Sequence, residues 1–272
     1  MVCFSIGWLA ASLQSADDFI TIAILAKDKA GVLPLYLFCL EKQTWPKEKT
    51  YLYIRTNNNT DATKEVLDQW LARVGSLYAG IYYDATDIDA PLAQFGAHEW
   101  NCVRFKILGA IRQASIDWAL SHNSHYFVVD CDNFIKPTTL ETLFLANKPI
   151  IGPLLRTGTH YSNFHAAVDA HGYLAPIFLY YEITYQAKLD IFEIPVIHCT
   201  YFIQKQYLSQ MSYDDQSYRY EYVIFSDNAR KKAIAQFIDN RIIYGYITFA
   251  TTLEGLQQEG WYAPFCQEIG FA

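Results

Sequence analysis

The sequence predicts an α/β fold organised on a central, mostly parallel sheet. Through the first half, β-branched and aromatic runs alternate with helix-patterned segments, and the most compact run, Tyr126-Phe127-Val128-Val129, stops abruptly at Asp130-Cys131-Asp132. Strands that alternate with helices need crossover connections, which make neighbouring strands parallel. With 272 residues, 52% of them hydrophobic, the chain can fill one large core or two small ones. No internal repeat, low-complexity tract or linker divides it, so a single domain is expected.

The elements follow in order. Phe19 to Ala26 (FITIAILA) reads as a buried strand, Lys27-Asp28-Lys29-Ala30-Gly31 as a turn, and Leu33 to Glu41 as a helix. Pro34 falls in that helix's first turn, where a missing N–H is harmless. Trp45-Pro46 breaks the chain before a strand at Thr50 to Arg55. The polar loop Thr56 to Asp61 offers Thr60 or Asp61 as the cap of a helix over Ala62 to Val74, with Trp70 on its apolar face. Leu77 to Tyr83 reads as a third strand, Asp84 to Gly96 as a loop containing Pro91, and Cys102 to Ser121 as a long helix leading into the Asp130 strand. The second half reads differently, with short strands around Ile150-Ile151, Tyr173 to Tyr181, Val196 to Ile203 and Ile234 to Ile238, between loops rich in Tyr and His.

Composition removes several functions. Charged residues are 18% and the net charge is −7, without a Lys/Arg block, so no nucleic-acid partner is expected. The 21 Tyr and 17 Phe supply flat amphipathic surfaces suited to sugar rings and uracil, and a tyrosine-rich core would use the same residues. None of the six cysteines forms a C-x-x-C pair, so no zinc site is expected, and Cys39, Cys131 and Cys199 read as buried free thiols. Val2 to Ala16 is apolar with small residues but lacks a basic start, so it reads as an N-terminal arm or a short signal peptide, and cytoplasm and secretory pathway both stay open. No apolar run approaches the roughly 20 residues of a membrane span. Asn58-Asn59-Thr60 is a glycosylation sequon that matters only in a secreted chain.

The chemistry is expected at the carboxyl edge of the sheet, where open α/β sheets place ligands. Asp130 and Asp132 close a buried strand one residue apart, and two such oxygen ligands suit a hard divalent cation that also holds a diphosphate. This is the pattern of the metal-binding Asp-x-Asp of nucleotide-sugar glycosyltransferases; two solvated acids ending a strand would look the same. Lys27 and Asp28 after the first strand, and Thr56, Asn57 and Asn58 after the second, share that edge and can hold uracil and ribose. Cys131 lies between the acids and goes with them in the donor-binding set. Arg104 and Arg112, eight residues apart, share one helix face, from which either can reach a phosphate or form an ordinary ion pair.

A wider resemblance rests on residues in collinear order from about Phe19 to Gly255: Ala23-Ile-Leu-Ala-Lys-Asp with Leu33-Pro34, Cys39-Leu-Glu, Trp45-Pro46-Lys47, Thr56-Asn-Asn-Asn-Thr-Asp-Ala-Thr63, Trp70-Leu71, Arg104-Phe105 with Arg112-Gln113-Ala114, Asp130-Cys-Asp-Asn-Phe134, Tyr161-Ser162-Asn163-Phe164, Pro195-Val-Ile-His198-Cys-Thr, and Asn240-Arg241 with Tyr244-Gly245-Tyr246. The chain resembles the N-terminal glycosyltransferase domain of the procollagen galactosyltransferases (glycosyltransferase family 25) and, more distantly, that of procollagen lysyl hydroxylases.

The resemblance implies a Rossmann-like GT-A fold, a UDP-sugar donor (galactose or glucose), Mn²⁺ or Mg²⁺, and a hydroxyl acceptor on a protein or glycan, of the hydroxylysine or glycosyl-hydroxylysine type. It divides residues 19–272 into a nucleotide-sugar-binding half (19–134) and an acceptor half (135–272), with residues 1–18 as the arm. Asp130 and Asp132 become metal ligands. The family's late histidine ligand is replaced by Ile243, leaving His198 as a substitute ligand or a core histidine. Of the family's acidic pair before the Asn-Arg segment only Glu221 is matched, the other position being Tyr220, with Asp214-Asp215 as a displaced pair. Glu221, as a carboxylate near the acceptor, and Asp132 are the catalytic assignments; Lys27, Asp28, Thr56, Asn57, Arg104 and Cys131 are the donor-binding ones. The loop from Tyr161 to His165 is expected to wall the acceptor side. The chain closes at Glu268-Ile-Gly-Phe-Ala without the second transferase domain or retention tail of the animal galactosyltransferases, so a stand-alone first domain is expected. Ile243 and Tyr220 also keep a non-catalytic, glycan- or protein-binding relative in view.

Overall fold

The computed structural model describes residues 18–89 and 101–271. The N-terminal stretch read as an arm or signal peptide, up to residue 17, lies outside the described residues, as do residues 90–96 of the loop containing Pro91.

The first half alternates as expected: β1 (Ile20–Ala26), α1 (Leu33–Glu41), β2 (Thr50–Thr56), α2 (Thr63–Val74), β3 (Gly80–Asp84), α3 (Cys102–Ser121) and β4 (His125–Val129). The second half is a set of shorter pieces: β5 (Asn133–Ile135), α4 (Thr139–Leu145), β6 (Ile150–Pro153), β7 (Leu155–Arg156), β8 (Phe164–His165), α5 (Phe178–Thr184), β9 (Ile191–Ile194), β10 (Val196–Ile197), β11 (Thr200–Ile203), α6 (Lys205–Leu208), α7 (Glu221–Lys231), β12 (Gln236–Asp239), β13 (Gly245–Ile247), α8 (Leu253–Gln257) and α9 (Tyr262–Ile269).

One eight-stranded sheet has the order β3-β2-β1-β4-β11-β6-β12-β9. β1 is parallel to both β2 and β4, whereas β11 runs antiparallel between β4 and β6. The strand order therefore reverses between β1 and β4, which opens a crevice at their carboxyl ends. Ala23 pairs with Val128, so the turns after β1 and β4 leave the sheet side by side. Alternate residues feed two cores: Ile22, Ile24, Phe127 and Val129 pack with α1 and α2 on one face, and Ala23, Tyr126 and Val128 pack with Ile116 and Phe225 on the other. Burial on both faces is why β4 reads as a continuous apolar run, and each fully buried large side chain contributes roughly 1.5–3 kcal/mol.

Local chemistry sets the helix starts. Asn101 caps α3 by accepting the Val103 and Arg104 N–H groups on its side chain, and Asp61 Oδ1 accepts the Thr63 N–H at the start of α2.

Three expectations shift. The third strand begins at Gly80 rather than Leu77, because Gly75–Leu77 closes α2 as a 3₁₀ turn. Tyr173 to Tyr181 is no strand: Val168 and Leu174 form one isolated bridge, and α5 follows. Leu179, Tyr180 and Ile183 face one cluster at helical spacing, so a period near four prevails over the β propensity of the aromatic residues. Val196 to Ile203 splits at His198-Cys199, where Cys199 takes a left-handed φ of 63°; β10 joins β8 in a separate pair, while β11 enters the main sheet.

Candidate active site

The turn carrying the two acids is pinned by its backbone. Asp130 donates its N–H to the Cys199 carbonyl at 3.0 Å, Asn133 donates to the Asp130 carbonyl at 2.9 Å, and Thr248 donates to the Asp132 carbonyl at 3.0 Å. Two segments distant in sequence, at Cys199 and Thr248, thus fix one turn at the crevice between β1 and β4.

Each acid has its own cation. Arg112 Nη2 donates to Asp130 Oδ1 at 2.8 Å, and Arg112 Nε lies 3.6 Å from Glu221 Oε1. Lys29 Nζ donates to Asp132 Oδ2 at 2.8 Å. The second oxygens, Asp130 Oδ2 and Asp132 Oδ1, accept no hydrogen bond from the described residues. Burial raises the Asp130 carboxyl above its usual range, with Arg112 opposing the rise and Asp132 adding to it. Burial likewise pushes Glu221 up to about 7, against the pull of Arg112. Burial works against the Lys29 charge, but Asp132 outweighs it and leaves the ammonium above its ordinary value.

A divalent cation fits these residues. Two carboxylates on one pinned turn each present an oxygen without a partner among the described residues, a donor set of the hard type. The three-ligand set expected from the sequence does not form: among the described residues no three His, Cys, Asp or Glu side chains come together as a metal site. His198 is the ligand that fails. Its ring is 4% exposed, its Nδ1 is 2.9 Å from Cys199 Sγ, and it packs among Tyr161, His165 and Tyr222, because β10 carries it out of the main sheet.

Other expectations are refined. The Cys131 thiol turns into the core and donates to the Leu25 carbonyl, so its side chain leaves the donor-binding set. Glu221 belongs to the acid cluster, but at 5% exposure and against Arg112 it cannot meet an acceptor as a free carboxylate. Asp214 and Asp215 are committed to their own turn, with Asp215 paired to Arg219. Lys27 and Asp28 form an ion pair, and Asp28 also accepts the Thr60 N–H and hydroxyl, which ties the loops after β1 and β2 together. Although burial opposes it, Lys27 and Thr60 hold the Asp28 carboxyl below the usual carboxylate range. Thr56 and Asn57 are buried behind those loops, and Thr56 Oγ1 accepts from Asn59 Nδ2. Arg104 lies in the first turn of α3, two turns ahead of Arg112. Lys29 is the site residue that sequence reasoning passed over; its only signal was being one more cation in the turn after β1.

On the second-half side of the crevice, Tyr161 joins Cys199 to a wall of rings. Its hydroxyl is 3.7 Å from Cys199 Sγ, and its ring lies 5.7 Å from that of His198 and 5.4 Å from that of Phe249. A cavity of about 310 Å³ opens beside it, lined by Arg156, Thr157, His160 and Tyr185 among others.

Known proteins share this fold. GalNAc-T7 in a crystal structure with UDP, GalNAc and Mn²⁺ superposes with a TM-score of 0.55 at 12% identity, over 93% of this chain and 48% of that one. S. aureus TarS 1-349 in complex with UDP-GlcNAc superposes with a TM-score of 0.53 at 13% identity, over 85% of this chain and 59% of that one. The fold is GT-A. Procollagen galactosyltransferase 2 of Homo sapiens is 30% identical over 240 residues, covering 84% of this chain and 38% of that protein. Inactive glycosyltransferase 25 family member 3 of Homo sapiens is 26% identical over 266 residues, covering 93% of this chain and 44% of that protein. The chain thus spans less than half the length of these relatives. Residues 18–259 match the family described as glycosyltransferase family 25, N-terminal domain, and the chain belongs to that family.

Proposed function

We propose that this chain is a metal-dependent hexosyltransferase that moves galactose or glucose from a UDP-sugar to a hydroxyl acceptor on a protein or glycan. The observation that carries the reading is the pinned pair Asp130 and Asp132 at the strand-order reversal, each with one oxygen that accepts no hydrogen bond from the described residues. Mn²⁺ or Mg²⁺ held there would act as a Lewis acid on the leaving diphosphate. Lys27, Asp28, Thr56 and Asn57 build the nucleoside side, with the Asp28–Thr60 tie keeping the two loops in register. Arg104 stands about 12 Å along α3 from Arg112, by helix rise, and is the cation offered to phosphate at the rim. As the acceptor oxygen bonds to the anomeric carbon, the bond from that carbon to the UDP oxygen breaks, UDP departs with the electron pair, and the hydroxyl proton passes to water or to the departing phosphate. Glu221 serves that step through Arg112, which orients Asp130, rather than by touching the acceptor. The Tyr161 wall faces the acceptor.

UDP release from a panel of UDP-sugars, with Mn²⁺ or with EDTA, tests the reading. Metal-dependent turnover of one sugar, lost in Asp130→Ala/Asp132→Ala, is expected; no turnover of any sugar together with no UDP binding would overturn it. The rival reading is a non-catalytic relative that binds a glycan or protein. It is favoured by the lack of a third ligand among the described residues and by the cations already pairing both acids. UDP binding that never leads to turnover with any acceptor supplied would support it.

A further inference from the structure

The two cations at the acids are held in unlike ways. Arg112 is 4% exposed and is locked between Asp130 and Glu221. Lys29 reaches Asp132 from the turn after β1, with side-chain exposures of 23% and 30% for the pair. Its backbone is fixed, since its N–H donates to Thr63 Oγ1 at 2.6 Å and its carbonyl accepts from Val32 and Leu33. Among the described residues, its ammonium is anchored only at Asp132. An ammonium on such a stem is a compact charge that changes partner readily, whereas a guanidinium held on two sides does not.

We propose that Lys29 is an exchangeable internal counter-ion of this site. Without metal, its ammonium occupies part of the space a divalent cation would take at Asp132. When the cation binds, Lys29 swings away from Asp132 and contacts the terminal phosphate of a nucleoside diphosphate in the same crevice. The inference rests on the donor-site reading above and adds a competition to it: a lysine touching a ligand carboxylate weakens metal binding while strengthening diphosphate binding. A residue that merely held the turn in shape would weaken both when removed.

The test uses the intact chain with Mn²⁺ alone, UDP alone and uridine alone as probes. Mn²⁺ affinity is read by electron paramagnetic resonance without nucleotide, and UDP and uridine affinities by calorimetry in saturating Mn²⁺. Lys29→Met and Lys29→Gln are each expected to bind Mn²⁺ about three- to tenfold more tightly than the natural chain, the span of a partly exposed ion pair. The same variants are expected to bind UDP more weakly by a similar factor, with uridine unchanged. Lys29→Arg, which keeps the charge, is expected to keep Mn²⁺ affinity near that of the natural chain. Mn²⁺ affinity that is unchanged or weaker in both neutral variants overturns the proposal, as does Lys29→Arg tightening Mn²⁺ as much as they do. Unchanged UDP affinity overturns its diphosphate half. If the natural chain takes up no Mn²⁺, uptake gained by the neutral variants supports the proposal and uptake by none overturns it. UDP binding by the natural chain in saturating Mn²⁺ decides separately whether the donor site itself stands.

Discussion

Asp130 and Asp132 are two residues apart on one turn, yet they live in different surroundings. Asp130, its side chain 26% exposed, meets a buried guanidinium that also lies beside a second buried acid. Asp132, its side chain 30% exposed, meets a single lysine that is itself 23% exposed. The inner acid is held as part of the structure, and the outer acid is left for exchange. One motif can therefore be rigid on one side and responsive on the other, so the two acids should answer mutation differently.

The largest effect is expected on the inner side. Arg112→Met leaves Asp130 and Glu221 facing each other without their shared cation, and breaking a buried pair this way costs about 3–5 kcal/mol. Denaturant unfolding of the variant checks it, and adding Glu221→Gln should return part of the loss because one stranded charge disappears.

Next comes a pH dependence. The Glu221 carboxyl is raised to about 7 in the folded chain from an ordinary value of 4.5. A raised acid contributes its stability below the unfolded pKa and loses it as pH rises through the folded one. Unfolding free energies should therefore show the natural chain losing about 3 kcal/mol relative to Glu221→Gln between pH 4.5 and pH 7. A flat difference across that window would remove the burial argument for Glu221.

On the outer side, Asp132→Asn should leave stability within about 1 kcal/mol, because its pair with Lys29 is partly exposed. Mn²⁺-dependent UDP release should nevertheless fall about 100-fold or more, the loss of roughly 2.7 kcal/mol of transition-state stabilisation. If Asp132→Asn unfolds the chain while Asp130→Asn leaves it intact, the inner and outer assignments are reversed.

The smallest effect is at the helix contact beneath the inner acid. A Cβ on Gly109 would sit 3.3 Å from the Tyr213 carbonyl and 3.4 Å from Glu221 Cβ. Gly109→Ala should change stability by no more than about 1 kcal/mol, since mild crowding offsets the helix propensity gained. It should still shift the Glu221 titration, as measured by carboxyl chemical shifts.

Legibility in the sequence follows the same division. β1, β2 and β4 are long runs buried on both faces, so periodicity and turn residues located them closely. Strands of two to four residues that change sheets, as β10 and β11 do across left-handed Cys199, leave no periodic signal. Asp130 and Asp132 were legible because acids ending a buried strand are chemically conspicuous. Their partners were not: Lys29 meets Asp132 across 103 positions of sequence, and Glu221 joins Arg112 from a helix that begins at Glu221 itself. Only the fold brings those charges together. The same holds for His198, whose neighbour in sequence, Cys199, touches the acid turn while its own ring leaves for the aromatic wall.

The central claim is that the open oxygens of this acid pair hold a cation that in turn holds a nucleoside diphosphate. Calorimetric titration of UDP into the natural chain and into Asp132→Ala, each with and without Mn²⁺, tests it most directly. The account predicts that Mn²⁺ tightens UDP binding at least about tenfold in the natural chain and by nothing measurable in the variant. Equal tightening in both proteins, or none in the natural chain, would contradict it.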